Sequence, residues 1–256
     1  MNEFLAPDLD GADVADRVEA NGLELAYEQF GRDDHPALIL IMGLGTQLTG
    51  WPDAFCRALA DTGLRVLRFD NRDIGLSTKF DRGTRYDGAR KAFVKSLLGR
   101  RIRTAYTLDD MVADTIGLMD GLGIERAHLV GASMGGMIAQ LVTAQYPERV
   151  ATLTSIMSTS GARGLPRGRM KVLMRLGKAP KRNDPDTVAR HMARTMRMIG
   201  SPEYGRSLED WTSEIRRNVK RSYRPAGSGR QMLAVMAAPS RVEMLGEITQ
   251  PALVIH

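Results

Sequence analysis

Between Ala127 and Tyr146 the chain passes from an apolar strand into a helix with almost no room to turn. Ala127–Val130 is a short apolar run. Gly131-Ala132-Ser133-Met134-Gly135 follows without a spacer, and Met134–Tyr146 reads as a helix. Gly131 and Gly135 leave space where the strand and helix backbones approach closely. Ser133, at the apex, has to hold a strained backbone conformation that lifts its hydroxyl clear of its neighbours. A Gly/Ser-rich turn without chemistry is the plain alternative, and the strand and helix on either side argue against it.

The rest of the chain repeats the strand–helix rhythm. Val18–Ala20 and Leu23–Phe30 read as strands joined by an Asn21-Gly22 hairpin turn. Ala37–Met42 is continuously apolar, as expected of a strand buried on both faces. Gly43–Gly50 is a Gly-rich loop, Trp51–Thr62 has helical spacing and Leu64–Phe69 is another buried strand. Thr107 is placed to cap a helix that runs to about Leu122, with acidic residues in its first turn. Val150–Met157 and Pro251–Ile255 complete the strands. Alternation of this kind predicts the α/β class: a mostly parallel central sheet with helices on both faces.

Two stretches interrupt it. Residues 78–106 form a basic excursion holding a short helix-like segment, Ala89–Leu98. Residues 161–245 hold no clear strand but several helix-like segments. They are rich in Met (170, 174, 192, 196, 198, 232 and 236) and read as an inserted helical cap. The expected division is therefore 1–160 as the first part of the core, 161–245 as the cap and 246–256 as a core strand. Met is adaptable enough to line an apolar pocket, although ordinary packing explains these residues equally well.

Composition narrows the function classes. There is no apolar run of about 18 residues, so no membrane span is expected. No secretory signal is read in the acidic N-terminus, and Cys56 is the only cysteine, which together fit a reducing, cytoplasmic setting. From Arg163 to Arg230 there are 18 Lys and Arg against 6 Asp and Glu, a net +12, whereas the whole chain carries +6. This basic module lacks interleaved aromatics or any nucleic-acid motif, so no nucleic-acid partner is expected. No His, Asp and Glu cluster has metal-ligand spacing.

Ser133 is the candidate nucleophile. A serine hydroxyl is weak until a base takes its proton. Met134 would offer its backbone N–H at a helix N-terminus to a developing oxyanion, and the loop Gly43-Leu44-Gly45 would supply a second donor, the Leu44 N–H. The same loop, with a following strand that ends at Asp70, partly mimics a dinucleotide-binding unit, but the third glycine position is Leu48. Asp70 and Arg72 read as braces of the 70–77 turn. None of His35, His128, His191 and His256 follows the last strand, where a base for Ser133 would be expected. His128 is expected to pack in or beside the core.

Leu40-Ile-Met-Gly-Leu-Gly45, Gly50-Trp-Pro-Asp53, Arg68-Phe-Asp-Asn-Arg-Asp-Ile-Gly-Leu-Ser77 and Val130-Gly-Ala-Ser-Met-Gly-Gly136 together resemble the α/β-hydrolase superfamily. Within it they resemble the aclacinomycin methylesterase-like ester hydrolases. The resemblance implies a serine hydrolase without a cofactor, acting on small apolar carboxylic esters through an acyl-enzyme at Ser133. Met134 and Leu44 match the oxyanion-hole backbones. Met42 stands where many relatives carry His. The resemblance also places the acid just past the strand ending at His256, and the histidine beyond one further strand. The expectation is a chain that lacks the last strand and helix, is weak or inactive as an esterase, and leaves 252–256 as an edge open to self-association. A ligand-binding relic without turnover and a perhydrolase or haloperoxidase-like enzyme are the alternatives on the same scaffold.

Overall fold

A computed structural model describes residues 15–80, 85–162, 164–165, 180–201, 203 and 205–256. Met170 and Met174 lie outside the described residues. The chain divides into two compact units. One comprises the described residues of 15–162 and 224–256, the other those of 164–223.

The larger unit is built on seven strands: β1 (Asp16–Ala20), β2 (Leu23–Phe30), β3 (Ala37–Ile41), β4 (Arg65–Phe69), β5 (Ala127–Ala132), β6 (Val150–Ile156) and β7 (Ala252–Ile255). Their order in the sheet is β1-β2-β4-β3-β5-β6-β7. The β1–β2 and β2–β4 pairs are antiparallel and the rest parallel. The β1–β2 hairpin turns on Asn21 (φ 53°) and Gly22 (φ 72°). Two successive positive φ values make a type I′ turn, whose twist matches that of the flanking strands.

Every residue of β3 is buried, and its alternating side chains serve two cores. Ala37, Ile39 and Ile41 pack with the helices α3 (Leu108–Gly121) and α4 (Met134–Gln145). Leu38 and Leu40 pack with Cys56 of α1 (Asp53–Ala60) on the opposite face. A strand enclosed in this way has to be apolar throughout. The 51–62 helix begins only at Asp53, because Pro52 holds an extended backbone (ψ 143°). The capping signal at Thr107 is realised as a full box. The Thr107 hydroxyl accepts from the Asp110 N–H, and the Asp110 carboxylate accepts from the Thr107 N–H at 2.7 Å. The short helix α2 (Ala89–Leu97) lies in the basic excursion. β7 lies at the sheet edge, with Leu253, Val254 and Ile255 exposed.

Within the smaller unit, α5 (Pro185–Ile199) and α6 (Leu208–Arg221) pack through Ala189, Ala193 and Ile215, with Met192 and Met196 around them. Asp184 caps α5, and its acceptance of the Thr187 N–H brings its carboxyl down to about 2. Two further helices return to the sheet unit: α7 (Pro225–Ala237) and α8 (Val242–Gly246).

Candidate active site

Ser133 sits between β5 and α4 with φ 54° and ψ −116°. An L residue holds such a conformation at a cost of about 1–3 kcal/mol, so its surroundings must impose it. Its N–H donates to Ile156 O at the end of β6 (2.8 Å). Its carbonyl accepts from the Met137 N–H (3.2 Å) and from the Ser158 hydroxyl (2.8 Å). With both backbone groups tied, the side chain is left exposed.

The glycines around it are there for space. A Cβ on Gly131 would lie 2.2 Å from Gly135 O, and one on Gly135 would lie 2.0 Å from Ile41 O. Both clashes are with backbone, which cannot step aside. A Cβ on Gly136 would meet the Ser158 side chain at 2.6 Å, a requirement that local sequence reading missed. A Cβ on Gly43 would stand 3.1 Å from the Ser133 Cβ, so the Gly43–Gly45 loop runs directly beside the serine. Met134, the first residue of α4, is buried, and Leu44 is half-buried.

That loop is held from a distance. Gly45 (φ 69°) donates its N–H to Gln231 Oε1 on α7 at 2.8 Å. Gln231 is fully buried, and its Nε2 donates to Arg72 O at 3.0 Å. One amide therefore clamps the loop after β3 to the turn after β4. Asn71 Nδ2 donates to Met42 O (2.9 Å) from the same turn. Asp70 accepts the Leu48 N–H on one oxygen (2.7 Å) and the Leu76 N–H on the other (2.8 Å). Fully buried and bonded on both oxygens, Asp70 braces the 70–77 turn.

Two buried ion pairs anchor the turn. Arg72 makes a two-point contact with Asp114 on α3, each bond 2.5 Å, and its guanidinium lies over the rings of Phe80 and Tyr106. Arg230 on α7 makes a second two-point contact, with Asp73, at 2.5 and 2.8 Å. Asp73 also accepts from the Tyr106 hydroxyl (3.1 Å) and the Phe80 N–H (3.2 Å). Burial alone would raise the Asp73 carboxyl, but Arg230 and these donors hold it below the usual carboxylate range. Burial, then the neighbouring Asp73, drives the Tyr106 phenol far above its ordinary value. The long-range partners Gln231 and Arg230 left no signal in the sequence near Ser133. Arg241 is a third such residue. It is buried and donates to Gln140 Oε1 (3.1 Å) and Thr159 O (2.8 Å), bracing the segment that carries Ser158.

His128 Nδ1 is 2.9 Å from the Thr152 hydroxyl across the β5–β6 ladder. His191 belongs to α5 and His256 is exposed after β7. Among the described residues no histidine hydrogen-bonds Ser133, and none form a metal-binding cluster.

Comparison with known proteins agrees with this architecture. Residues 36–256 match the profile of the alpha/beta hydrolase fold. Rhodomycin D methylesterase DnrP of Streptomyces peucetius is 32% identical over 130 residues, covering 51% of this chain and 37% of that protein. The 3-oxoadipate enol-lactonase 2 of Acinetobacter baylyi is 31% identical over 134 residues, 52% of this chain and 41% of that protein. These matches thus span well under half of each curated relative. Among solved structures, the meta-cleavage product hydrolase CumD of Pseudomonas fluorescens superposes with a TM-score of 0.69 at 19% identity, covering 95% of this chain and 79% of that one. With the profile matched over residues 36–256, the Ser133 turn included, the chain belongs to the α/β-hydrolase fold family.

Proposed function

We propose that the protein hydrolyses carboxylic esters through an acyl intermediate on Ser133, with the Met134 and Leu44 N–H groups receiving the oxyanion. The observation that carries this is the Ser133 backbone: a strained, doubly tied residue whose hydroxyl is exposed at the junction of β5 and α4. Strain of this kind persists only where the surroundings impose it, and it gathers at reacting positions. Attack by Oγ on the ester carbonyl, its proton passing to water and returning to the departing alcohol, forms a tetrahedral oxyanion. Its collapse releases the alcohol and leaves an acyl group on Ser133 for water to remove. Donors fixed before the reaction stabilise the developing charge without reorganisation, and in this reading Gln231 and the α4 N-terminus do the fixing. The substrates expected are small apolar esters. Relatives named as a methylesterase and an enol-lactonase support that class.

Hydrolysis of p-nitrophenyl and methyl esters tests the proposal. Ser133→Ala is expected to abolish acyl-enzyme formation and the burst of alcohol release that accompanies it. Equal rates for the parent and Ser133→Ala would place the chemistry elsewhere.

A further inference from the structure

The helix α2 turns its apolar stripe away from the protein. Arg90, Phe93, Val94, Leu97 and Leu98 fall at i, i+3, i+4, i+7 and i+8, the spacing that in most helices faces a core. Here Ala92, on the opposite side, is the buried residue, packed with Ile102 and with Leu233 of α7. Phe93, Val94, Leu97 and Leu98 are 58, 48, 60 and 59% exposed. Four large apolar side chains at consecutive outward positions form a patch of the kind that marks a docking surface.

Charge says what covers it. Residues 85–103 contain seven Lys and Arg against one acid, Asp87. Asp87 is buried and already pairs with Lys91 and Lys95. Arg90 brackets the apolar stripe at one end, and Arg100 and Arg101 do so beyond the helix-ending Gly99 (φ 62°). All three arginines are exposed, and none of them forms an ion pair among the described residues. A second copy of this chain would set arginine against arginine. A nucleic acid would leave the leucines uncovered. An apolar stripe rimmed by free cations fits a surface that offers hydrocarbon below and phosphate above.

We propose that α2 is an interfacial anchor that seats the protein on anionic phospholipid bilayers. Phe93, Val94, Leu97 and Leu98 enter the acyl boundary, while Arg90, Arg100 and Arg101 meet headgroup phosphates. This is surface attachment, and it stands independently of the chemistry proposed at Ser133.

Flotation of the full chain with vesicles tests it. Vesicles of mixed phosphatidylglycerol and phosphatidylcholine should carry the protein upward, and the fraction bound should fall as salt rises. Pure phosphatidylcholine should carry little. Phe93→Ser with Leu97→Ser should weaken binding at least about tenfold, since burial of apolar area drives insertion. Arg100→Gln with Arg101→Gln should weaken it about 30-fold, at roughly fivefold per cation. All four positions are exposed, so both variants should melt like the parent. Three results would each overturn the proposal. The first is no preference for anionic vesicles at low salt. The second is a dimer that Phe93→Ser with Leu97→Ser dissociates, which assigns the patch to a second copy. The third is polyglutamate binding as tight as vesicle binding and indifferent to the Phe93 and Leu97 changes, which assigns it to an acidic polypeptide.

Discussion

Gly135→Ala is expected to destabilise the protein by about 3 kcal/mol, the upper range for overpacking, and to remove ester turnover with it. Two effects compete at this position. Alanine gains close to 1 kcal/mol over glycine within a helix, and Gly135 is the second residue of α4. Against this, the added methyl would lie 2.0 Å from Ile41 O and 2.8 Å from Met42 O. Both atoms belong to the end of β3 and the loop that follows, so relief requires moving α4 off the sheet. The clash dominates, and the displacement falls on Ser133 and on the loop beside it. Gly229→Ala supplies the opposite case. Gly229 lies in α7 with open space where its Cβ would be, so the same change should stabilise by roughly 0.5–1 kcal/mol. Urea unfolding of both variants measures the contrast. Similar effects of the two substitutions would show that the packing at Gly135 is looser than described.

Arg230→Ala should cost about 3–5 kcal/mol at neutral pH, the range for breaking one side of a buried pair. Asp73 is fully buried, and without Arg230 it keeps only Tyr106 and the Phe80 N–H. The pH dependence separates this account from simple loss of packing. In the parent protein the Asp73 carboxyl is held below its unfolded value. Its contribution is therefore complete above the ordinary carboxylate pKa and is lost as pH falls through the depressed folded value. In Arg230→Ala, burial acts without the opposing charge and the carboxyl rises, so protonation as pH falls from that raised value to about 4 relieves the variant. The stability gap should narrow on acidification. A gap constant from pH 7 to pH 3 would mean that the guanidinium acts by volume alone.

Gln231→Ala separates positioning from stability. It leaves the Gly45 N–H and the Arg72 carbonyl without their shared partner. A loss of about 1–3 kcal/mol in stability is expected from the two unsatisfied groups. If Leu44 is held for the oxyanion by this clamp, kcat for esters should fall with little change in KM. Gln231→Glu retains the acceptor for Gly45 and should recover part of kcat.

What the sequence discloses follows the range of the interactions. The Asn21-Gly22 hairpin, the Thr107 cap and the all-apolar Ala37–Ile41 strand are set by neighbours a few residues apart, and composition alone reveals them. The turn at Ser133 is legible for the same reason, since the glycines that make room for it flank it directly. The grip on the Gly43–Gly45 loop is another matter. Gln231 reaches it across 186 residues and Arg230 reaches Asp73 across 157. The helix carrying both residues contains Gly227 and Gly229, which blur its period. Gly227 is explained only by the fold, because its Cβ would stand 2.1 Å from Asp73 O. The packing of α7, with Ala234 in the main core and Leu233 against Ala92 and Ile102, likewise has no local signal.

The most direct test of the reading at Ser133 is to find the acyl group. The protein is mixed with p-nitrophenyl acetate, quenched in acid and digested, and the acetylated peptide is located by mass spectrometry. The account predicts acetyl on the peptide that carries Ser133 and none there in Ser133→Ala. Release of nitrophenol at the parent rate by Ser133→Ala, or acetyl mapped to another residue, would contradict it.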